Sequence, residues 1–535
     1  MKKTGKCTAL LMLCLCLAGC GTLDVPVADS QQREESETAS NATAETEETT
    51  DTEGSLSESM ESGFEAEEET EENVQVQGGM PEITVIPQSG EWYDGEDGTL
   101  LLEYSYGRIV VAGEGTEALQ AALDEQFPEM QYNDRVKELV KDVRAVYQEQ
   151  KENGPDTFYT YFFDDNAMIT RFDEKILSFK TSQYEYTGGA HGMYFNSGTT
   201  YEVATGALLG PDDILADRMG FETEAAVYIA KELNAVYGDQ LFEDYETTVT
   251  EGLKGNDWNW CLDATGIRVM YTPYEIGPYA MGAPEVLLPY AIFGRYMKEE
   301  YLCIYDEMIA AITPDADMSE AVGTSDFMTI QSGTTEWDMS EYSLVSGDVA
   351  VELGEFDWLE SAYLLKKDSR SFVLLSFDYM SDDYVTFSYE VTDGQIVKRG
   401  GVPGAYISGE HWSDSHVGMV LSLNVLGTYG AKLTYIIDEM GQLMPEKEMY
   451  IIDSAANIKV KKQLPVMING ESVTLEPGTE IRITGTNNID EVLFKEVSGG
   501  REGVIHYTMD EENSWIHLID GISEYEYFEE LPYAG

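Results

Sequence analysis

His191 is the one histidine in the first 400 residues, and it sits among Gly188, Gly189 and Gly192 in the stretch YEYTGGAHGMYFNSGTTYEVATG, residues 184–206. Imidazole is the side chain best suited to moving a proton near neutral pH and to ligating a metal. Acid–base work would need a nucleophile or carboxylate within hydrogen-bond reach. Ser182, Asn196 and Ser197 are near in sequence, but no G-x-S-x-G elbow is present. A zinc site would want a second imidazole, and His411, His416, His506 and His517 all lie far along the chain. Glycines around a histidine fit a backbone at positive φ that passes close to another segment. His191 is therefore read as part of a structural loop, or else as a binding contact. No catalytic residue, metal ligand or cofactor is assigned.

The loop YEIGPYAMGAPE, residues 274–285, is the stronger candidate for contact with a ligand. Pro278 and Pro284 stiffen it, and Gly277 and Gly282 turn it. Tyr274, Tyr279 and Met281 offer aromatic or soft contact area at modest entropy cost. With Glu275, Pro278 and His191 they make the expected binding set. The alternative is that the tyrosines pack on their own sheet. Asp164 and Asp165, in FFDDN, read as a turn at a strand end. YDGEDGTL, residues 93–100, reads as a hairpin turn and lacks the alternating carboxylates and distant glutamate of a calcium loop. Cys261 and Cys303 lack C-x-x-C spacing, so a zinc site on them is not expected. Spacing leaves open whether they pair.

The elements that must carry these residues divide the chain into parts. In residues 80–300, EITVIP and TLLLEYSYGRIVVAG read as strands, the latter with tight turns. YNDRVKELVKDVRAVYQEQ reads as a helix, with Val136, Leu139, Val140, Val143 and Tyr147 at helical spacing and Asn133 or Asp134 as cap. TFYTYFF and KILSFKTSQYEYTGG return to strand. ETEAAVYIAKELNAVYG reads as a second helix, with Ala226, Ile229, Leu233 and Val236 on one face and Gly238 as its stop. Antiparallel strands with separate helices indicate an α+β first domain. In residues 315–450, FVLLSFDYMSDDYVTFSYEVTDGQI parallels GMVLSLNVLGTYGAKLTYIIDEMGQL at a period of about 46 residues. Two units are too few for a closed propeller, so an antiparallel sheet or sandwich is expected. Residues 455–535 show six or seven short strands separated by turns.

The first residues address the chain. Lys2, Lys3 and Lys6 precede the apolar run TALLMLCLCLAG, too short to span a bilayer. Leu17-Ala18-Gly19-Cys20 resembles a bacterial lipobox. That resemblance implies a signal peptide at 1–19, cleavage before Cys20 and lipid on its sulfur, hence anchoring at the extracytoplasmic face of the cell membrane. Residues 20–79 are Glu, Thr and Ser with little apolar content and read as a disordered acidic tether. The whole chain carries 32 basic and 100 acidic residues, a net charge of −68. Such a balance argues against nucleic acid and against an anionic membrane surface as partners.

YTGGAHGMYFNSGTTYEVATGALLGPDDIL, followed by YTPYEIGPYAMGAPEVLLPY, resembles the paired DUF4163 and DUF3298 families. Those domains form the extracellular part of a lysozyme-sensing anti-sigma factor and the N-terminal part of a peptidoglycan deacetylase. The resemblance implies an extracytoplasmic fold and a lysozyme-like basic protein or peptidoglycan as partner. The chain lacks the sensor's cytosolic helices and membrane span. It also departs from the deacetylase pattern, because FFDDN has Asn166 where that metal motif has glycine and His411 and His416 are five apart rather than four. LEPGTEIRI and GGREGVI resemble a bacterial SH3-like module, which implies a small β-barrel at the C-terminus. The expectation is a lipid-anchored, non-catalytic binding or sensing protein of the envelope. The alternatives are a peptidoglycan-modifying hydrolase or deacetylase-associated protein, and a structural protein that binds wall glycan.

Overall fold

In a computed structural model, residues 80–128, 133–153, 158–334, 339–379, 383–392, 394–413, 416–452, 455–510, 513 and 515–533 are described. The signal segment, Cys20 and the tether lie outside these residues. Strand β1 (Glu82–Tyr93) and strand β2 (Leu100–Ala112) form a hairpin. The expected turn joins them: Asp94 accepts from the backbone of Glu96 and Asp97, and its own N–H donates to Thr99 O at 2.8 Å. The strand expected in TLLLEYSYGRIVVAG forms, but without the tight turns expected in it. It is instead one uninterrupted strand, because its alternate residues Tyr104 and Tyr106 find a helix to pack on and the chain gains by staying extended.

That helix is α2 (Asp134–Asn153), which follows the shorter α1 (Glu117–Gln126). All five predicted face residues, Val136, Leu139, Val140, Val143 and Tyr147, are buried against β2 and the next strand. Asn133 caps the helix, its Oδ1 accepting from Val136 N–H at 3.1 Å. The crossover through α1 and α2 brings β3 (Tyr161–Asp173) alongside β2 in parallel, the geometry a helical connection permits. Strand β3 runs straight through Asp164 and Asp165, so the turn expected there is not formed. Both aspartates are held in pairing with β2 on one side and with β4 (Ile176–Tyr186) on the other. Three-strand hydrogen bonding outweighs the local turn preference of two aspartates. Strand β5 (Met193–Glu202) completes the order β1-β2-β3-β4-β5.

Next come α3 (Pro211–Ile214), α4 (Arg218–Tyr237) and α5 (Tyr245–Gly255). Helix α4 stops at Gly238, with φ +51°, as expected. Its buried face is Phe221, Ala225, Ile229 and Leu233. Val236, predicted to lie there, is 71% exposed because the stripe ends one turn earlier. The helices pack on a three-stranded sheet of β6 (Asn259–Leu262), β7 (Gly266–Met270) and β8 (Glu285–Pro289). Strand β9 (Met308–Ala311) pairs with the end of β3. Arg171 of β3 is fully buried there. It binds Asp173 at 2.7 Å and donates to the carbonyls of Tyr301 and Leu302 at 2.8 Å each.

Strands β10 (Met328–Thr334), β11 (Ser340–Ser346) and β12 (Val349–Phe356) form a separate sheet. The repeat becomes two antiparallel meanders. The first is β13 (Trp358–Lys367), β14 (Arg370–Asp378), β15 (Tyr384–Thr392) and β16 (Gln395–Pro403). The second is β17 (Ala405–Trp412), β18 (His416–Asn424) and β19 (Thr428–Ile437). Gly394 and Gly441 end the units at φ +73° and +83°. Pairing links these strands to the first ones: β13 joins β9, which also joins β3, and β17 joins β1 at Ile83 and Thr84. One apolar core accordingly runs from Met80 to Phe528. At the C-terminal end, the strands Leu464–Ile468, Glu471–Leu475, Glu480–Thr486, Glu491–Glu496 and Glu502–His506 pair antiparallel. Among the described residues this sheet does not close into the expected barrel. No helix among the described residues is long and apolar enough to cross a membrane.

Candidate functional site

The glycines around His191 do what their type implies. Gly188 and Gly189 take φ values of +92° and +105°, which lets the chain reverse between β4 and β5. Gly192 serves close approach instead. A Cβ there would lie 2.5 Å from Tyr184 Cζ and 2.7 Å from the carbonyl oxygen of Glu185. The reversal leaves the His191 imidazole exposed to solvent rather than beneath the sheet.

From more than eighty residues downstream, the 274–285 loop arrives at the same place. The Tyr279 ring stacks on His191 with centroids 4.1 Å apart and planes 25° from parallel. Tyr279 Oη donates to Gly192 O at 2.9 Å, and His191 Nδ1–H donates to the same carbonyl at 2.9 Å. One carbonyl thus pins both rings. Tyr194 of β5 meets Tyr279 edge-on at 5.4 Å, and Tyr274 lies 5.9 Å away. Tyr274 is 51% exposed and sits at φ +72°, an uncommon conformation for a side chain of this size. Partial burial, and then the neighbouring phenols of Tyr194, Tyr184 and Tyr274, push the Tyr279 hydroxyl above its ordinary value.

Two predicted members are engaged within the fold. Met281 is buried in the core beneath the loop, touching the backbone at Gly277. The Glu275 carboxylate folds back onto Thr272, accepting from its N–H at 2.8 Å and from its hydroxyl at 3.2 Å, so it shapes the turn. Pro278 is exposed beside Tyr279. The exposed and half-exposed groups that gather there are His191, Tyr274, Pro278 and Tyr279, together with Tyr184 and Tyr194. The last two were not in the predicted set. Their signal was the two-residue period of the strands, since Tyr184 and Tyr194 are directly opposite in the β4–β5 register.

A charged network supports the platform from one side. Glu285, at the start of β8, receives Lys180 of β4, Arg268 Nη1 at 3.1 Å and Asn196 Nδ2 at 3.3 Å. Burial would raise the Glu285 carboxyl, but the Lys180 and Arg268 charges more than offset this and hold it below its ordinary value. Arg268 continues to the fully buried Asp263 at 2.9 Å. Cys261 and Cys303 are both buried and unpaired, and burial pushes each thiol up to about 12. Among the described residues no group of three or more His, Cys, Asp and Glu side chains is placed to hold a metal ion. His411 is occupied by Thr84, Nδ1 to Oγ1 at 2.8 Å, and its ring centroid is 6.4 Å from that of His416.

No curated protein matches the chain. A member of the DUF3298 family from Bacteroides fragilis, solved by crystallography, is 21% identical over 42% of this chain and 95% of its own, with a TM-score of 0.31. A DUF3298 family protein from Pseudomonas aeruginosa is 18% identical over 42% of this chain and 97% of its own, with a TM-score of 0.27. The expected DUF4163 and SH3-like resemblances are not among these matches. Residues 212–291 match the family described as "Protein of unknown function (DUF3298)", and residues 96–194, which include the His191 loop, match the family described as "Deacetylase PdaC".

Proposed function

We propose that this protein is an extracytoplasmic binding or sensing protein of the cell envelope, held at the membrane by lipid on Cys20, with the aromatic cluster at His191 as its recognition surface. The PdaC-like and DUF3298-like segments point to an extracellular, envelope-associated protein. The observation that carries the binding role is the convergence of two distant loops into an exposed, pre-ordered ring cluster, with His191 stacked on Tyr279 and Tyr274 half-exposed beside them. Rings held before the ligand arrives lose little entropy on binding. His191 commits Nδ1 to a carbonyl and one ring face to Tyr279, which suits a positioned contact better than a proton shuttle.

The test is retention of the full-length protein on insoluble peptidoglycan and on immobilised lysozyme, at low and high salt, with a Tyr274→Ala, His191→Ala double variant alongside. Retention on one matrix, lost in the double variant, is the expected result. Equal retention of both proteins would remove the surface from consideration. Deacetylation of purified peptidoglycan, abolished by His191→Ala alone, would replace the binding role by an enzymatic one. A second reading, a cationic protein partner of the lysozyme type, is favoured by the net charge of −68, which would speed capture and make it salt-sensitive. The anchor has its own readout: Cys20→Ser should move the protein from the membrane fraction to the medium.

A further inference from the structure

We infer that Lys180 and Asn196 are a self-modification site, at which the lysine amine displaces the nitrogen of the asparagine amide and ties β4 to β5 by an isopeptide bond. Three groups of complementary chemistry meet there on one oxygen. Lys180 Nζ donates to Glu285 Oε1, and Asn196 Nδ2 donates to the same Oε1 at 3.3 Å. The amine and the amide are thereby held side by side over one carboxylate. The strand register provides for this. Lys180 is opposite Gly198 and Ser182 is opposite Asn196, so Lys180 and Asn196 are diagonal neighbours on one face of the antiparallel pair. Gly198 leaves that face open to close packing, since a Cβ there would lie 2.1 Å from the Trp260 carbonyl oxygen of β6. The site is accordingly well covered, with the Lys180 and Glu285 side chains only 17% and 22% exposed.

Each group has the partner that the step needs. Ser182 Oγ donates to Asn196 Oδ1 at 3.0 Å, which polarises the carbonyl and stabilises the charge that develops on its oxygen. Arg268 Nη1 donates to Glu285 Oε2 at 3.1 Å, fixing the carboxylate in place and keeping it a base. Lys180 passes one proton to Glu285, and the free amine adds to Asn196 Cγ. Within a covered pair this transfer exchanges two opposite charges for two neutral groups, a change that burial favours. Glu285 hands its proton to the amide nitrogen, the bond from that nitrogen to Cγ breaks, and ammonia departs. The second proton shed by Nζ leaves through the same carboxylate and is taken up by the ammonia. One ammonium side chain and one carboxamide thus give one secondary amide and one ammonium ion, with Glu285 restored. The balance needs no oxidant or co-reactant.

The bond has a structural consequence. The reversal that carries His191 lies between β4 and β5, and so between the two joined residues. Linking Lys180 to Asn196 closes that reversal into a covalent ring at its base. Such a closure removes conformational freedom from the unfolded chain and holds the two strands in one register. The inference is independent of what the exposed rings bind.

The test is tryptic peptide mapping of the full-length protein by mass spectrometry. Without the bond, trypsin cuts after Lys175, Lys180 and Arg218 and releases residues 176–180 and 181–218 separately. With it, cleavage after Lys180 is lost, and residues 176–218 emerge as one peptide lighter than its sequence by one ammonia. That single peptide is the expected product. Asn196→Ala leaves Lys180 and Arg268 on Glu285 and should restore the two separate peptides. Glu285→Gln should do the same in a protein that still unfolds cooperatively on heating. Separate peptides with Asn196 intact, from the unaltered protein, would overturn the bond. So would loss of ammonia with cleavage after Lys180 retained, since Asn196 would then have cyclised on its own backbone. The linked peptide persisting in Glu285→Gln would overturn the proton transfer assigned to that carboxylate.

Discussion

Substituting Gly192 by alanine tests the arrangement on which the candidate surface depends. The added Cβ would stand 2.7 Å from the Glu185 carbonyl oxygen, about 0.7 Å short of the 3.4 Å at which ordinary contact begins. It would also press on the Tyr184 ring at 2.5 Å. A ring can swing aside, but the carbonyl belongs to a paired strand and cannot do so cheaply. Overpacking of this kind costs about 1–3 kcal/mol. Displacing Gly192 also disturbs the carbonyl that accepts from both Tyr279 and His191, at roughly 1 kcal/mol for each hydrogen bond. A combined loss of about 3 kcal/mol in local opening free energy corresponds to roughly a hundredfold faster amide exchange. Hydrogen–deuterium exchange read by mass spectrometry over residues 184–194 and 274–282 measures this directly. Both peptides should respond, since one carbonyl ties them together. Gly95→Ala is the control, because no atom lies within 4 Å of its added methyl and its φ is not positive. Exchange in Gly192→Ala indistinguishable from that control would refute the account of the His191 loop.

Three further outcomes follow from the same geometry. Arg171→Met should destabilise the protein by about 3–5 kcal/mol in urea unfolding, because it strands the buried carboxylate of Asp173; a loss below about 1 kcal/mol would show that the pair is dispensable. Hydrogen bonds from Arg370 at 2.8 Å and 2.9 Å, and from Arg399 at 2.7 Å, hold Glu390 down to about 2 from an ordinary 4.5. Its stabilisation, about 3 kcal/mol, is present above pH 4.5 and lost as pH falls toward 2, so Glu390→Gln should flatten the acid limb of a stability–pH curve that otherwise falls over that window. Cys261 and Cys303 should resist a thiol reagent at pH 8 in the native state and react fully in urea, since burial keeps both as thiols; rapid native-state labelling of either would contradict their packing.

Several features of the fold are legible in the sequence alone. The face of α2 from Val136 to Tyr147, the hairpin turn at 94–99, the stop at Gly238 and the positive φ of Gly188 and Gly189 all follow from short-range rules. Each depends on residues within one or two turns of each other. So does the reading of His191 as a loop residue, which lies between β4 and β5.

What depended on partners distant in sequence could not be read in this way. Two aspartates look like a turn until β2 and β4 pair on either side of them. Glu275 and Met281 look like contact groups until Thr272 claims one and the core the other. The alternation of β3, β4 and β5 states which side chains share a face, but not which face α2 will cover. That choice, made by the parallel crossover of β3 onto β2, leaves Phe162, Tyr184 and Tyr194 outside. Tyr279, stacked on His191 and edge-on to Tyr194, then joins a distant loop to this face, because packing energy is decided by which surfaces meet and not by their order along the chain.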